Sequence, residues 1–391
     1  MQKQVSILGA TGTIGKNTLE IISGNPEKYS VSTLIARSNF EELAKLATQY
    51  KVKQVAIYDE ENYLPLKNLL SGSNIKIFAG KEGCKEASSE KIDIYISGAV
   101  GFCALEPTLS AVKAGVNIGM ANKECLVCAG EIIINEAKKS NAKIIPVDSE
   151  HNAIFQIFDF EKLNSIEKII LTASGGSFLN LDIKEFSKIT PEMAVKHPNW
   201  NMGAKISVDS STMMNKGLEV IEAMRLFPLN PNQIEVLVHP QSIIHGLVYY
   251  NDGSVLSALS NPDMKIPISY ALGFPDRIKN NSQKLDLAKT TNLSFYNPDF
   301  EKFRCLKLSF EALNFGQNAC VALNAANEIA VAEFLNHKIK FSDIPIIVEM
   351  VLEKIISENY SANSLEEIYF IDEISRNSAQ DFIKTKISKV A

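Results

Sequence analysis

From residue 5 to about residue 148, short apolar runs alternate with stretches whose apolar positions recur at helical spacing. Val5–Leu8, Val31–Ile35, Val55–Ile57, Ile92–Ile96, Val116–Gly119 and Ile144–Val147 read as strands, and Phe40–Tyr50 and Leu105–Ala114 as helices between them. That alternation predicts βαβ units and a doubly wound parallel sheet.

After 148 the pattern changes. Glu235–Val238, His245–Tyr250 and Val255–Ala258 predict antiparallel strands, with Asn251-Asp252-Gly253 as a hairpin turn. Ser174-Gly175-Gly176, His197-Pro198-Asn199-Trp200 and His239-Pro240-Gln241 read as functional loops. Residues 274–300, with Pro275, Pro298 and many Lys, Asn and Ser, predict a linker or extended arm. Leu306–Phe315, Val321–Leu335 and Ile344–Ser357 have helical periodicity, so the chain is expected to end in a helical domain.

Length and charge narrow the picture. A chain of 391 residues is too long for one core, and two or three domains are expected. A formal charge of -5 argues against nucleic acid as a partner, so any anionic ligand must find its cations locally. No apolar run reaches the roughly 18 residues of a membrane span. The first strand begins almost at once, which predicts no signal or transit peptide. Six cysteines make no disulfide framework in a chain this long, and a reducing cytoplasm is the expected setting. Cys125 and Cys128 form a C-x-x-C without a second pair or a His pair, and read as small core residues rather than a zinc or redox site.

The first strand runs into Gly9-Ala10-Thr11-Gly12-Thr13-Ile14-Gly15 and then a helix from Lys16 to Ile22. Glycines there permit a tight turn and let backbone N–H groups approach a pyrophosphate at a helix N-terminus, the Rossmann-like arrangement. The second strand ends Ile35-Ala36-Arg37-Ser38-Asn39 with no acid for a ribose hydroxyl. An Arg flanked by Ser and Asn suits a 2′-phosphate, which favours NADP over NAD; the alternative is a solvated Arg on a loop.

The strand Lys143–Val147 ends in Asp148-Ser149-Glu150-His151. Asp148 and Glu150 are hard oxygen donors suited to Mg²⁺ or Mn²⁺, or else Ser149 and Glu150 cap a helix over Asn152–Phe158. Ile206–Ser210 looks like a strand delivering a helix cap, followed by a helix from about 211 to Leu226. On that helix Asn215, Lys216 and Glu219 share one polar patch, either an exposed ion pair or a phosphate site with a further cation ligand. Thr172–Gly176 is either a tight turn or a second anion cradle. The only Trp, Trp200, lies in a loop with His197 and Met202, where it is core or the cap of a lid.

The order and company of these motifs resemble the 1-deoxy-D-xylulose 5-phosphate reductoisomerase family over nearly the whole chain. The matching stretches are Gly9–Gly15, Ala121–Glu124, Pro146–Gln156, Ala173–Phe178, His197–Gly203, Ile206–Glu219, His239–His245, Asn261–Met264 and Ala322–Glu328. PVDSEHNAIFQ and ISVDSSTMMNKGLE are the longest and most specific of them.

The resemblance implies an N-terminal Rossmann-like NADPH domain (1–148), an α+β catalytic domain (149–273), a linker (274–300) and a C-terminal helical domain (301–391). It implies that Thr11, Gly12, Thr13, Ile14, Arg37, Ser38, Asn39, Asn122, Glu124 and Gly203 hold NADPH. Asp148, Glu150 and Glu219 would ligate Mg²⁺ or Mn²⁺. Lys123, Ser149, Glu150, Ser174, His197, Ser210, Asn215, Lys216 and Glu219 would meet the substrate, with Trp200 and Met202 on a flap.

The implied reaction turns a 2-ketose phosphate into a branched aldehyde by a retro-aldol/aldol route or an α-ketol shift, and then reduces it. The product, 2-C-methyl-D-erythritol 4-phosphate, would enter isoprenoid synthesis, and the enzyme would be a homodimer. Arg37 departs from the Gly usual in the family, which bears on the backbone contact there. His239 and His245 are expected to be structural. Two rivals remain: a semialdehyde dehydrogenase using Cys125, and an NADPH-sensing module without chemistry.

Overall fold

A computed structural model describes residues 2–196, 200, 203–290 and 292–388, and its chain forms two compact units. The first comprises residues 1–125, 133–152 and 263–283, and the second residues 126–132, 153–262 and 284–391.

In the first unit, strands and helices alternate as β1 (Lys3–Leu8), α1 (Thr13–Ser23), β2 (Tyr29–Ala36), α2 (Phe40–Tyr50), β3 (Gln54–Ile57), α3 (Tyr63–Leu69), β4 (Lys76–Ala79) and α4 (Gly80–Ser88). There follow β5 (Ile94–Ser97), α5 (Leu105–Lys113), β6 (Asn117–Met120), α6 (Lys123–Ser140), β7 (Ile144–Pro146) and α7 (Ser149–Phe155). All seven strands are parallel, in the order β4-β3-β2-β1-β5-β6-β7. The order reverses direction between β1 and β5, and at such a switch point the carboxyl ends of the strands leave a crevice for ligands.

The core of this unit explains why the runs are apolar. Val5, Ile7, Leu34, Val55, Ile57 and Ile96 from the strands pack with Leu19, Leu43 and Leu66 from the helices, all buried. At about 25 cal/mol per Å² of apolar surface, each such side chain contributes roughly 1.5–3 kcal/mol. Asn39 caps α2 by accepting the Glu42 N–H at 3.1 Å, and Glu41 and Glu42 complement the helix dipole in its first turn. The segment 263–283 returns to this unit with α11 (Lys265–Gly273). It is fastened there by Tyr29 Oη donating to Leu272 O at 3.0 Å and by the Lys265–Glu20 pair at 3.0 Å.

The second unit contains β8 (Ile166–Ala173), α8 (Pro191–Ala194), α9 (Ala204–Ser211), α10 (Met214–Leu226), β9 (Ile234–Val238), β10 (Ile244–Tyr250) and β11 (Val255–Leu259). After these come α12 (Arg304–Phe315), α13 (Gln317–Leu335), α14 (Ile344–Glu358) and α15 (Leu365–Ser388). Its sheet runs β11-β10-β8-β9, and one face carries α10 through Val220, Ala223 and Phe227 against Ile169, Leu171, Val236 and Val248. Within the arm at 284–300, Tyr296 makes a two-way backbone bridge to Val238 at 2.8 and 2.9 Å.

Several expectations are corrected. Residues 206–210 lie in helix α9, not in a strand, because the apolar Ile206 and Val208 are joined on the helix by an i,i+4 pair of Lys205 with a buried Asp209. The strand at 235–238 pairs in parallel with β8, because the chain crosses over through helices before it returns to the sheet. The other two strands of that group are antiparallel to each other, and residues 251–254 turn between them as expected. Helix α7 begins at Ser149, before the expected Asn152. Strands β4 and β8 and helices α3, α4, α6, α8, α11 and α15 were not among the named expectations.

Candidate active site

In the first unit, the candidate residues follow the carboxyl ends of β1, β2, β6 and β7. The turn after β1 depends on its glycines. Gly9 has φ +82, and a Cβ there would stand 2.6 Å from Ala99 N; a Cβ on Gly15 would stand 2.5 Å from Gly9 O. Both therefore hold the head of α1 against the strand ends, where no larger residue fits. Gly12 is the N-cap of α1 and gives it no side-chain cap, so the first N–H groups, on Thr13, Ile14 and Gly15, point out of the helix end. Such a terminus carries about +0.5 of a charge and suits a pyrophosphate.

At the end of β2, Arg37, Ser38 and Asn39 are exposed. Arg37 stands 3.6 Å from Asp59 with its side chain 74% exposed. A pair so solvated is worth about 0–1 kcal/mol, so the guanidinium can turn to a phosphate at little cost. After β6, Asn122 is buried and fully used: its Oδ1 caps α6 at Cys125 N–H (2.8 Å), and its Nδ2 donates to Ala99 O (2.6 Å) and Gly101 O (3.0 Å). That amide fastens the β5 and β6 loops together. Glu124 is buried beside it on α6.

Lys123, at the first position of α6, forms an ion pair with Asp148 at 2.6 Å, and the two side chains are only 11% and 16% exposed. Ser149 donates to Glu150 at 2.6 Å, and Asn152 Nδ2 donates to Pro146 O at 2.8 Å, which fixes the turn from β7 into α7. Two carboxylates thus emerge from one strand end, one held by an ammonium and the other by a hydroxyl.

In the second unit, Ser174, Gly175 and Gly176 follow β8 in a turn with two consecutive left-handed glycines (φ +84 and +69). A Cβ on Gly176 would lie 2.6 Å from Ser210 O and 2.7 Å from Ser211 Cα. The turn is therefore pressed onto the end of α9, bringing Ser174 and Ser210 into one neighbourhood. Met213, left-handed at φ +61, then reverses the chain into α10. In the first two turns of α10, Asn215 and Lys216 both donate to Glu219. Lys216 and Glu219 are 4% and 1% exposed, so this is a buried cluster and not a solvated pair.

Trp200 packs edge-on against His245, with ring centroids 6.1 Å apart, and His245 Nε2 lies 3.0 Å from Ser260 Oγ. His197 and Met202 lie outside the described residues; Gly203 is the exposed N-cap residue of α9. His239 is buried, Nδ1 facing Ser294 O at 2.9 Å and Nε2 accepting the N–H groups of Ile243 and Ile244, each at 3.2 Å. Two donors at Nε2 require the proton on Nδ1, and burial holds the imidazole below its ordinary pKa against the opposing Ser294 bond. This histidine is a structural fastener, as expected. Cys125 and Cys128 are both buried in α6.

Sequence reasoning passed over Lys205, Asp209 and Asn327. Asp209 is 1% exposed and receives hydrogen bonds from Lys205 (2.9 Å) and Asn327 (2.8 Å). The position of Asp209 inside the Ile206–Glu219 stretch and of Asn327 inside Ala322–Glu328 offered the signal.

A parallel sheet with a glycine turn at its switch point defines an α/β protein of the dinucleotide-binding class. Residues 5–130 match the family described as 1-deoxy-D-xylulose 5-phosphate reductoisomerase. Residues 144–227 and 259–378 match that family's C-terminal domains. The reductoisomerase of Vesicomyosocius okutanii subsp. Calyptogena okutanii (strain HA) is 48% identical over 383 residues, 98% of this chain and 99% of its own. That of Acinetobacter baumannii (strain ACICU) is 46% identical over 398 residues, again covering 98% and 99%.

A crystal structure of DOX-P reductoisomerase in complex with NADPH, fosmidomycin and magnesium superposes with a TM-score of 0.94 at 43% identity, covering 98% of each chain. The Zymomonas mobilis enzyme in complex with NADPH gives 0.90 at 41% identity, covering 98% and 99%. The chain belongs to the 1-deoxy-D-xylulose 5-phosphate reductoisomerase family. Among the described residues, no helix is long and apolar enough to cross a membrane.

Proposed function

We propose that this chain is an NADPH-dependent oxidoreductase that rearranges 1-deoxy-D-xylulose 5-phosphate and reduces the product to 2-C-methyl-D-erythritol 4-phosphate. The observation that carries the reading is the family's near-full-length identity, which extends over both the glycine turn and the buried cluster of α10. Further parts of the proposal are a homodimer, a cytoplasmic setting, and a functional division at 1–148, 149–273, 274–300 and 301–391. That division concerns chemistry, and so differs from compactness.

The residues fit both cofactors. The uncapped start of α1, held against the strand ends by the close backbone packing at Gly9 and Gly15, suits the NADPH pyrophosphate. Arg37, Ser38 and Asn39 would meet the 2′-phosphate end, and Thr11, Gly12, Thr13 and Ile14 would line the turn, with Asn122, Glu124 and Gly203 helping to hold the cofactor. Asp148, Glu150 and Glu219 offer only carboxylate oxygens, the donor set of Mg²⁺ or Mn²⁺. When bound, such an ion polarises a substrate oxygen as a Lewis acid.

The chain's own groups do the rest. Ser174, Ser210, Asn215 and Lys216 would bind the phosphate, giving binding energy remote from the reacting carbons. Lys123 Nζ, paired with Asp148 at 2.6 Å, would meet a substrate hydroxyl. Ser149 Oγ orients Glu150 by its hydrogen bond, and His197 would reach the substrate from the loop that carries Trp200 and Met202. That loop would exclude water from a reactive aldehyde.

The test is NADPH absorbance with purified protein and 1-deoxy-D-xylulose 5-phosphate, with Mg²⁺ or Mn²⁺ and then with EDTA. Oxidation requiring both substrate and metal is expected. Protein that binds NADPH yet oxidises none with either metal would overturn the reading.

A further inference from the structure

We propose that Asp209 is a positioning residue for the phosphate-binding end of the site, setting Ser210 and the head of α10 through its bonds to Lys205 and Asn327. The inference rests on the phosphate role proposed above for Ser210, Asn215 and Lys216.

Asp209 lies on the inner face of α9 and is 1% exposed. Its Oδ2 receives Lys205 Nζ, one turn earlier on the same helix, at 2.9 Å. Its Oδ1 receives Nδ2 of Asn327, itself fully buried in the middle of α13, at 2.8 Å. One carboxylate thus joins two of the matching sequence stretches, Ile206–Glu219 and Ala322–Glu328. Burial, and then the charge of Asp209, push the Cys305 thiol up to about 12, which places the carboxylate's field on α12 as well.

A buried carboxylate is an expensive way to join two helices. Ionised groups lose their hydration, and well-packed apolar residues at such places are often neutral or stabilising. What the polar contact adds is direction: each oxygen has one donor, which fixes the rotation and register of α9. The residues downstream depend on that register. Ser210 O takes the Met213 N–H at 3.1 Å, and Met213 is the left-handed residue that launches α10 with Asn215 and Lys216.

The same Ser210 carbonyl is where Gly176 makes its closest approach, too tight for a Cβ. A turn of α9 would therefore shift Ser174, Ser210, Asn215 and Lys216 together. Positioning errors of this kind weaken ligand binding without removing any contact group.

The experiment compares full-length Asp209→Asn, Asn327→Asp and the exchanged pair D209N/N327D, with Ser210→Ala and Lys216→Ala as phosphate-site controls. For Asp209→Asn the KM for 1-deoxy-D-xylulose 5-phosphate should rise about tenfold, with kcat and the KM for NADPH within about threefold of the parent. The inhibition constant of inorganic phosphate should rise by the same factor. Asn327→Asp opposes two carboxylates and should be worse, whereas the exchanged pair restores one amide–carboxylate bond and should recover most of the KM loss.

An unchanged substrate KM in folded Asp209→Asn overturns the inference, as does an exchanged pair that regains its Tm without regaining KM. If Ser210→Ala and Lys216→Ala leave KM unchanged, the phosphate reading beneath it fails instead. Should Asp209→Asn not fold, Lys205→Met carries the same test, because it keeps the bond to Asn327.

Discussion

Lys216 donates to Glu219 across one turn of α10, and both side chains are almost completely buried. Removing one member of a buried pair leaves the other charge without compensation, which typically costs 3–5 kcal/mol, roughly. Lys216→Ala should therefore lower Tm as well as raise the KM for the sugar phosphate, by about a hundredfold given the loss of a charge-assisted bond. Lys216→Met refills the volume without the charge, and should regain part of the Tm and none of the KM. Thermal melts alongside steady-state kinetics separate the two effects.

Glu219→Gln keeps the shape of the side chain and removes its charge. If Glu219 is a cation ligand, kcat should fall by at least about a hundredfold at ordinary metal concentration, and higher Mg²⁺ should restore part of it. The Asp148→Asn variant should behave alike. Its Lys123 loses an ion pair at 2.6 Å, so a modest loss of Tm should accompany the change. A metal titration of activity with normal affinity in either variant would remove that residue from the cation site.

The nucleotide end makes a sharper steric prediction. Gly15→Ala puts a methyl 2.5 Å from Gly9 O and 2.6 Å from Ala10 Cα, both backbone atoms that cannot yield without opening the turn. The Kd for NADPH, followed by fluorescence titration, should rise at least about tenfold, since helix and strand end must separate. Gly72→Ala is the control for a left-handed glycine with open surroundings: φ +81 strains it by about 1 kcal/mol, and NADPH binding should not change.

Much of this architecture is legible in the residues themselves. Val5–Leu8 and Val55–Ile57 are continuous apolar runs because their strands are buried on both faces of a parallel sheet, and α2 is legible in the helical spacing of the buried Leu43, Ala44, Leu46 and Ala47. Gly9 and Gly15 were readable as a nucleotide turn because the contact that excludes a Cβ is local. Ile206–Ser210 was not readable. Five residues with two apolar positions fit either period, and the partners of the buried Asp209 are Lys205 one helical turn away and Asn327, 118 residues away, which the short stretch does not announce. The direction of Ile234–Val238 was equally hidden, since parallel pairing is set by the helical crossover and not by the strand's own side chains. Nor could spacing tell that Lys216 and Glu219 are buried: a 3-residue interval on a helix reads the same on either face.

His239 gives a prediction of pH dependence with a definite sign. Its Nε2 accepts two backbone N–H groups and its ring stacks on Phe295 at 4.7 Å, so protonation of Nε2 would place a donor against two donors in a buried site. Burial accordingly lowers the folded-state pKa below 6.5, while the unfolded chain keeps the ordinary value. Between those two values the unfolded state binds more protons, so stability falls as pH drops through about 6.5 and levels off only below the folded pKa. Above about 6.5 the contribution is complete. The Tm advantage of the parent over His239→Gln should thus be largest near pH 7.5 and shrink towards pH 5. A difference that stays constant over that range would mean that the imidazole is not held neutral by its two backbone donors.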